Sequence, residues 1–195
     1  MDFRFDPAVH TDPVKKARLL TLLKELSYVE GEVTLASGKK SDFYIDCRQT
    51  SLHPEGAALI GEIWAAWTVA LPFAPGGAGG MTMGADPLAT ALSVKLFERG
   101  VHCPAFIVRK EAKTHGAGKR IEGRRSIPDG SEVLMLEDVV TTGGSTIKAA
   151  DAVREDGLAP RAVFCLVDRL EGGREALTAA GLPLFSIFTR RDFKG

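Results

Sequence analysis

The run EVLMLEDVVTTGG, from Glu132 to Gly144, constrains this chain more than any other stretch. Val133 to Leu136 is apolar and reads as a buried strand. Two acids follow at its end, Glu137 and Asp138, and then Thr141, Thr142, Gly143, Gly144 and Ser145. From about Ser145 to Glu155 the pattern turns helical. A strand feeding a helix through a tight Gly turn is the unit of α/β folds, and such sheets bind ligands at the carboxyl ends of their strands. The turn offers backbone N–H groups, hydroxyls and a helix N-terminus, all suited to a phosphate. Adjacent acids lose solvation and repel each other, so they need a partner. A ribose diol or a metal ion would serve. Together these features favour a phosphorylated sugar over a plain strand–turn–helix capped by Ser145. No Gly-Lys-Ser/Thr is present, so the turn is not a Walker A loop.

The remaining chain alternates in the same way. Pro13 to Tyr28 places Val14, Ala17, Leu20, Leu23 and Leu26 at helical spacing, with Thr11 or Asp12 as cap. Glu32–Leu35 and Phe43–Asp46 read as short strands around the turn Ala36-Ser37-Gly38-Lys39. Further helices are expected over His53 to Ala70, Asp86 to Arg99 and Gly173 to Ala180. Strands are expected over Cys103–Val108, Ala162–Val167 and Leu184–Phe188, and Pro72 to Gly80 reads as a Pro/Gly-rich connection. The pattern predicts one domain, residues 1–195, with a mostly parallel sheet flanked by helices on both faces.

Several classes are disfavoured. With 25 Lys plus Arg against 25 Asp plus Glu, net charge is zero, which argues against a nucleic-acid binder. Cys47, Cys103 and Cys165 are scattered without metal-ligand spacing, and reduced thiols in a cytoplasmic protein are the expectation. The first residues, MDFRFDPAVH, lack the apolar run of a signal peptide, and no segment is apolar enough to span a bilayer.

Charge is nonetheless concentrated locally. Between Arg109 and Arg125, seven Lys or Arg residues stand against two Glu, with His115 and three glycines among them. A mobile cationic loop can close over a polyanion such as a diphosphate, exclude water and reopen. The alternative is a solvated surface hairpin. Tyr44 and Ile45 could wall a flat ring. Gly84 before Pro87 marks another turn where a phosphate could sit. Arg169, just after a strand, could grip a carboxylate with its fork or pair with Asp168 or Glu171.

These segments resemble the type I phosphoribosyltransferases, and within them the orotate branch. EDVVTTGGS is similar to the superfamily's phosphoribosyl-diphosphate (PRPP) motif, RKEAKTHG to the catalytic loop of the orotate branch, and LASGKKSDFYID with Asp168-Arg169 to its base-side segments. The resemblance implies the type I fold with a small hood lobe from the N-terminal region. It implies transfer of ribose 5-phosphate from PRPP to orotate, with Mg²⁺ carried in on PRPP and no metal ligands from the protein. It makes Lys113, His115, Glu137 and Asp138 the catalytic residues. Arg109, Lys110, Lys113 and His115 would bind the diphosphate. Glu137, Asp138, Val139, Val140, Thr141, Thr142, Gly143, Gly144 and Ser145 would bind the ribose and its 5-phosphate. Tyr44, Ile45, Thr141 and Arg169 would bind orotate. A homodimer sharing its active sites, with no nucleic-acid or membrane partner, is also implied.

Two positions depart from the pattern. Ala36 stands where many members have Lys, and Met83-Gly84 where many have Tyr-Lys. Each removes a cation from an anion site. A phosphoribosyltransferase for a purine or uracil shares the PRPP motif, and so does a PRPP-sensing regulator. RKEAKTHG and Arg169 argue against the first. No room for a helix-turn-helix in the first thirty residues argues against the second.

Overall fold

The computed structural model describes residues 5–34, 40–111 and 120–193. Helix α1, Pro13–Leu26, begins where the Asp12 carboxylate accepts from Val14 N at 2.9 Å and Lys15 N at 3.2 Å. Pro13 takes the first helical position, where no N–H is needed. Its buried face is Leu19, Leu22 and Leu23; of the expected stripe Leu23 is buried, while Val14 is 76% exposed. Leu19 and Leu23 join Ile60 and Ile63 in one core, and that packing overrides the looser pattern read from the sequence.

Strands β1, Tyr28–Thr34, and β2, Lys40–Ile45, pair antiparallel as a separate two-stranded hood. Both are longer than expected, and the Ala36-to-Lys39 turn lies outside the described residues. A short helix α2, Arg48–Ser51, precedes α3, Pro54–Val69. The sequence pattern did not indicate α2.

The main sheet has the order β5-β4-β3-β6-β7-β8. Its strands are β3 (Gly77–Met81), β4 (Ala105–Val108), β5 (Ile121–Glu122), β6 (Glu132–Val140), β7 (Ala159–Asp168) and β8 (Leu184–Thr189). All neighbours run parallel except β5, which is antiparallel to β4. Helices α4 (Ala85–Phe97), α5 (Gly144–Glu155) and α6 (Gly173–Ala179) complete the fold.

The expected Pro72 to Gly80 connection is corrected, because its end is the central strand β3. Glycine carries low strand propensity, which hides it. Here glycine is required: a Cβ on Gly79 would fall 2.0 Å from the Phe106 carbonyl oxygen, and one on Gly80 2.0 Å from that of Leu136.

Both faces of the sheet are covered. On β6 and β7, Leu134, Leu136, Phe164 and Leu166 face a core with Trp64, Trp67, Leu88 and Leu92 from α3 and α4. The alternate residues Val133, Met135, Val163 and Cys165 face a second core with Ala150, Val153 and Leu177 from α5 and α6. Cys47, Cys103 and Cys165 are free and buried. Burial pushes all three thiols up, that of Cys103 to about 12. Among the described residues, no helix is long and apolar enough to cross a membrane.

Strand β6 runs past the acids to Val140, held by register with β7 through Val140 and Asp168. Glu137 and Asp138 thus sit inside the strand's last stretch rather than beyond it.

Candidate active site

Glu137 is 6% exposed. Its Oε2 accepts from Ser145 Oγ at 3.1 Å and Thr146 Oγ1 at 2.9 Å. Burial raises its pKa to about 8, the Asp138 charge and hydrogen bond add to the rise, and the two hydroxyls oppose it. The Ser145 hydroxyl therefore serves Glu137, and α5 has no side-chain cap; its N-cap is Gly143 at φ +79°. Thr146 was not singled out in the sequence. Its position one residue past the turn, in the first turn of α5, was the available signal.

The Asp138 carboxylate accepts from Val139 N at 2.9 Å, and Asp138 N donates to Glu137 Oε1 at 3.3 Å. Across from it runs the turn from β3 to α4. A Cβ on Gly84 would lie 2.7 Å from Asp138 Oδ1 and 2.9 Å from its Cγ. The carboxylate of Asp138 thus stands directly beside the backbone of Gly84.

A cavity of about 320 Å³ opens between these parts. Tyr44, Ile45, Asp46 and Arg48 line it from the hood and α2, and Met81, Thr82, Met83 and Gly84 from the β3–α4 turn. Lys110, Glu137, Asp138, Val139 and Ser145 complete the wall. The structure thus brings together Tyr44, Ile45, Lys110, Glu137, Asp138, Val139 and Ser145 from three separate sequence segments. Arg48 was missed, because a lone Arg two residues after an Asp reads as a local ion pair.

Other predicted residues lie around this cavity rather than on its wall. Arg109 lines a neighbouring hollow with Thr82, Asp86 and Lys110, and its Nη1 meets Glu122 Oε1 at 3.3 Å. The Val140 side chain is buried in the core, so only its backbone is available to a ligand. Thr141, Thr142, Gly143 and Gly144 form the turn into α5. Gly173 packs beneath that turn: a Cβ there would meet Val140 Cγ1 at 2.4 Å and Thr141 O at 2.7 Å. Lys113 and His115 lie outside the described residues.

Arg169 follows β7, with its N–H donating to Val140 O at 2.9 Å. Its guanidinium binds Glu171 Oε1 through Nε at 3.0 Å and Nη2 at 2.9 Å, and stands 5.6 Å over the Phe43 ring. Of the two local partners weighed in the sequence, Glu171 is the one it takes. Asp168, fully buried, is held instead by Arg174, with Nε at 3.2 Å and Nη2 at 3.0 Å.

The arrangement is a pair of adjacent acids, a Gly-containing turn at a helix N-terminus, and a cavity whose wall also carries Arg48 and Lys110. Residues 80–179 match the phosphoribosyl transferase domain model. The orotate phosphoribosyltransferase of Sorangium cellulosum is 49% identical over 92% of this chain and 93% of that one. The crystal structure of Mycobacterium tuberculosis orotate phosphoribosyltransferase with inorganic phosphate matches at a TM-score of 0.79 and 38% identity, covering 92% of this chain and 98% of that one. The same enzyme in complex with PRPP matches at a TM-score of 0.76 and 32% identity, covering 97% and 98%. The chain belongs to the orotate phosphoribosyltransferase family.

Proposed function

We propose a division of labour in this cavity for the reaction of that family. The reaction is orotate phosphoribosyltransfer: ribose 5-phosphate passes from PRPP to N1 of orotate, giving orotidine 5′-monophosphate and diphosphate, a step of pyrimidine nucleotide synthesis. The observation that carries the site reading is the Glu137–Asp138 pair at the mouth of the cavity, beside the turn into α5.

Glu137 and Asp138 take the ribose hydroxyls. As the bond from sugar carbon to diphosphate lengthens, positive charge grows on the ribose, and the two carboxylates favour it. The turn Thr141 to Ser145 cradles the 5-phosphate with backbone N–H groups and the α5 dipole. Tyr44 and Ile45 wall the base, and Thr141 and Arg169 contact it. Arg109, Lys110, Lys113 and His115 cover the departing diphosphate. Orotate is already an anion, so no covalent enzyme intermediate is needed.

Mg²⁺ is expected to enter with PRPP; the cavity wall carries hard oxygen donors in Glu137 and Asp138, whereas the Asp46 carboxylate is taken up by Arg48. Mg²⁺ bound with PRPP would keep mostly phosphate and water ligands and neutralise charge on the leaving diphosphate. A homodimer in which part of the basic loop serves the neighbouring site is the expected assembly, and the cytoplasm the expected location.

The test is a base panel. Purified protein is incubated with PRPP, Mg²⁺ and orotate, uracil, hypoxanthine or adenine, and conversion of each base to its nucleotide is followed by chromatography. Turnover with orotate alone is expected. Turnover confined to a purine, or none, overturns the reading.

A further inference from the structure

We propose that Arg48 binds the diphosphate end of PRPP, supplying the cation that the turn from β3 to α4 does not. The proposal rests on the PRPP reading of the cavity given above.

The need comes from that turn. Its cavity residues, Thr82, Met83 and Gly84, carry no charge. Gly84 carries no side chain, and the Asp138 carboxylate stands beside it. Meanwhile three carboxylates, Asp46, Glu137 and Asp138, line the same cavity. An incoming diphosphate with several negative charges must be compensated. Among the described residues of the wall, only Arg48 and Lys110 are cationic.

Arg48 has the geometry for the task. It opens α2, directly after the hood strand that carries Tyr44 and Ile45. Its Nε donates to Asp46 Oδ1 at 2.7 Å and its Nη2 to Asp46 Oδ2 at 3.1 Å. That two-bond pairing fixes the plane of the guanidinium. It leaves Nη1 without a partner among the described residues. The side chain is 44% exposed, so the remaining donors reach the cavity without burial of an unpaired charge. Position adds direction. Arg48 also lines an adjoining hollow with Leu52, Met83 and Pro87, which puts it on the Met83 side of the cavity, away from the turn into α5. The 5-phosphate is assigned to that turn, so the diphosphate extends toward Arg48. Asp138 lies near enough to help hold the Arg48 charge, as does its direct partner Asp46.

A structural role alone accounts poorly for this pair. Exposed ion pairs contribute about 0–1 kcal/mol, so the fold does not depend on it.

The experiment compares Arg48→Gln, Arg48→Lys and Asp138→Asn with the parent protein. Steady-state KM is measured for PRPP and for orotate, and binding of inorganic diphosphate by calorimetry. Arg48→Gln should raise KM for PRPP and the diphosphate Kd by roughly tenfold to a hundredfold, the loss of one charge-assisted contact. KM for orotate should stay within about twofold, and Tm unchanged. Arg48→Lys should recover part of the affinity, and it carries the test should the Gln variant be unstable. An unchanged PRPP KM and diphosphate Kd in both Arg48 variants, with Asp138→Asn raising PRPP KM, overturns the Arg48 proposal alone. A selective rise in orotate KM also overturns it, by placing Arg48 on the base. Silence in Asp138→Asn as well overturns the underlying reading of the cavity.

Discussion

Thr146 Oγ1 donates to Glu137 Oε2 at 2.9 Å, from the first turn of α5 to the strand that precedes it. This bond ties the buried acid to the start of the helix that follows the Gly turn. It also sets a protonation problem. Glu137 is buried beside Asp138, and its pKa is raised from 4.5 to about 8. At neutral pH the free protein therefore keeps a proton that the unfolded chain has released. Stability is greatest below about pH 4.5 on this account and falls as pH rises toward 8, with a slope of at most ~1.4 kcal/mol per pH unit. Glu137→Gln should flatten that slope in urea titrations run between pH 5.5 and 8. A parent slope of zero, or one of opposite sign, refutes the assignment.

The same proton should leave when substrate binds. Hydroxyl donors from ribose favour the charged carboxylate. Calorimetry of PRPP binding at pH 7, in buffers of different ionisation enthalpy, should report net proton release. Glu137→Gln should abolish it. Equal heats across buffers for the parent would contradict this role.

Asp168 and Arg174 support the site from below. Asp168 is fully buried, and Arg174 bonds it while also donating to Leu184 O at 2.6 Å. Leu170, at φ +58°, turns the chain between them, with its N–H on Asp168 Oδ1 at 2.9 Å. Arg174→Ala leaves a buried carboxylate without its cation and should cost about 3 kcal/mol in equilibrium urea unfolding. Because the turn positions Arg169, KM for orotate should rise in the folded variant. A loss below about 0.5 kcal/mol would mean that Asp168 finds water or another donor.

Gly173 is the floor of the phosphate turn. An added methyl would overlap Val140 Cγ1 at 2.4 Å and Thr141 O at 2.7 Å. Gly173→Ala should therefore displace the turn and raise KM for PRPP by tenfold or more, while KM for orotate changes less. The measurement is steady-state kinetics on both substrates, with Tm as the control for folding. Equal effects on the two substrates would show a general loss of structure rather than a shifted turn.

Much of this site was legible because its chemistry is local. The acids, hydroxyls and glycines between Glu137 and Ser145 are adjacent, and the strand-to-helix geometry follows from their order. What sequence could not supply was contact across the fold. β3 reads as a linker because its glycines carry no strand signal, yet they are required by carbonyl oxygens at 2.0 Å from β4 and β6. Arg48 looks like half of a local pair until the hood folds it onto the cavity. In α1, the stripe from Val14 to Leu26 was expected, and packing on α3 buries Leu19 with Leu23 instead of Val14.

The basic loop carries the remaining expectation. Lys113 matches the catalytic loop of the orotate branch and lies outside the described residues, so its role rests on the resemblance and on charge. Lys110, at the entrance to that loop, already lines the cavity. Negative charge grows on the leaving diphosphate as its bond to the sugar breaks, and the main effect of Lys113 is expected there, on the transition state. Lys113→Ala should lower kcat by roughly 10²–10³-fold with a smaller change in KM for PRPP. Lys110→Ala, by contrast, should act mainly on KM, because Lys110 belongs to the fixed wall of the cavity. Near-normal turnover in Lys113→Ala, or a KM effect that dominates its kcat effect, would assign the charge compensation to the fixed wall of the site rather than to the loop.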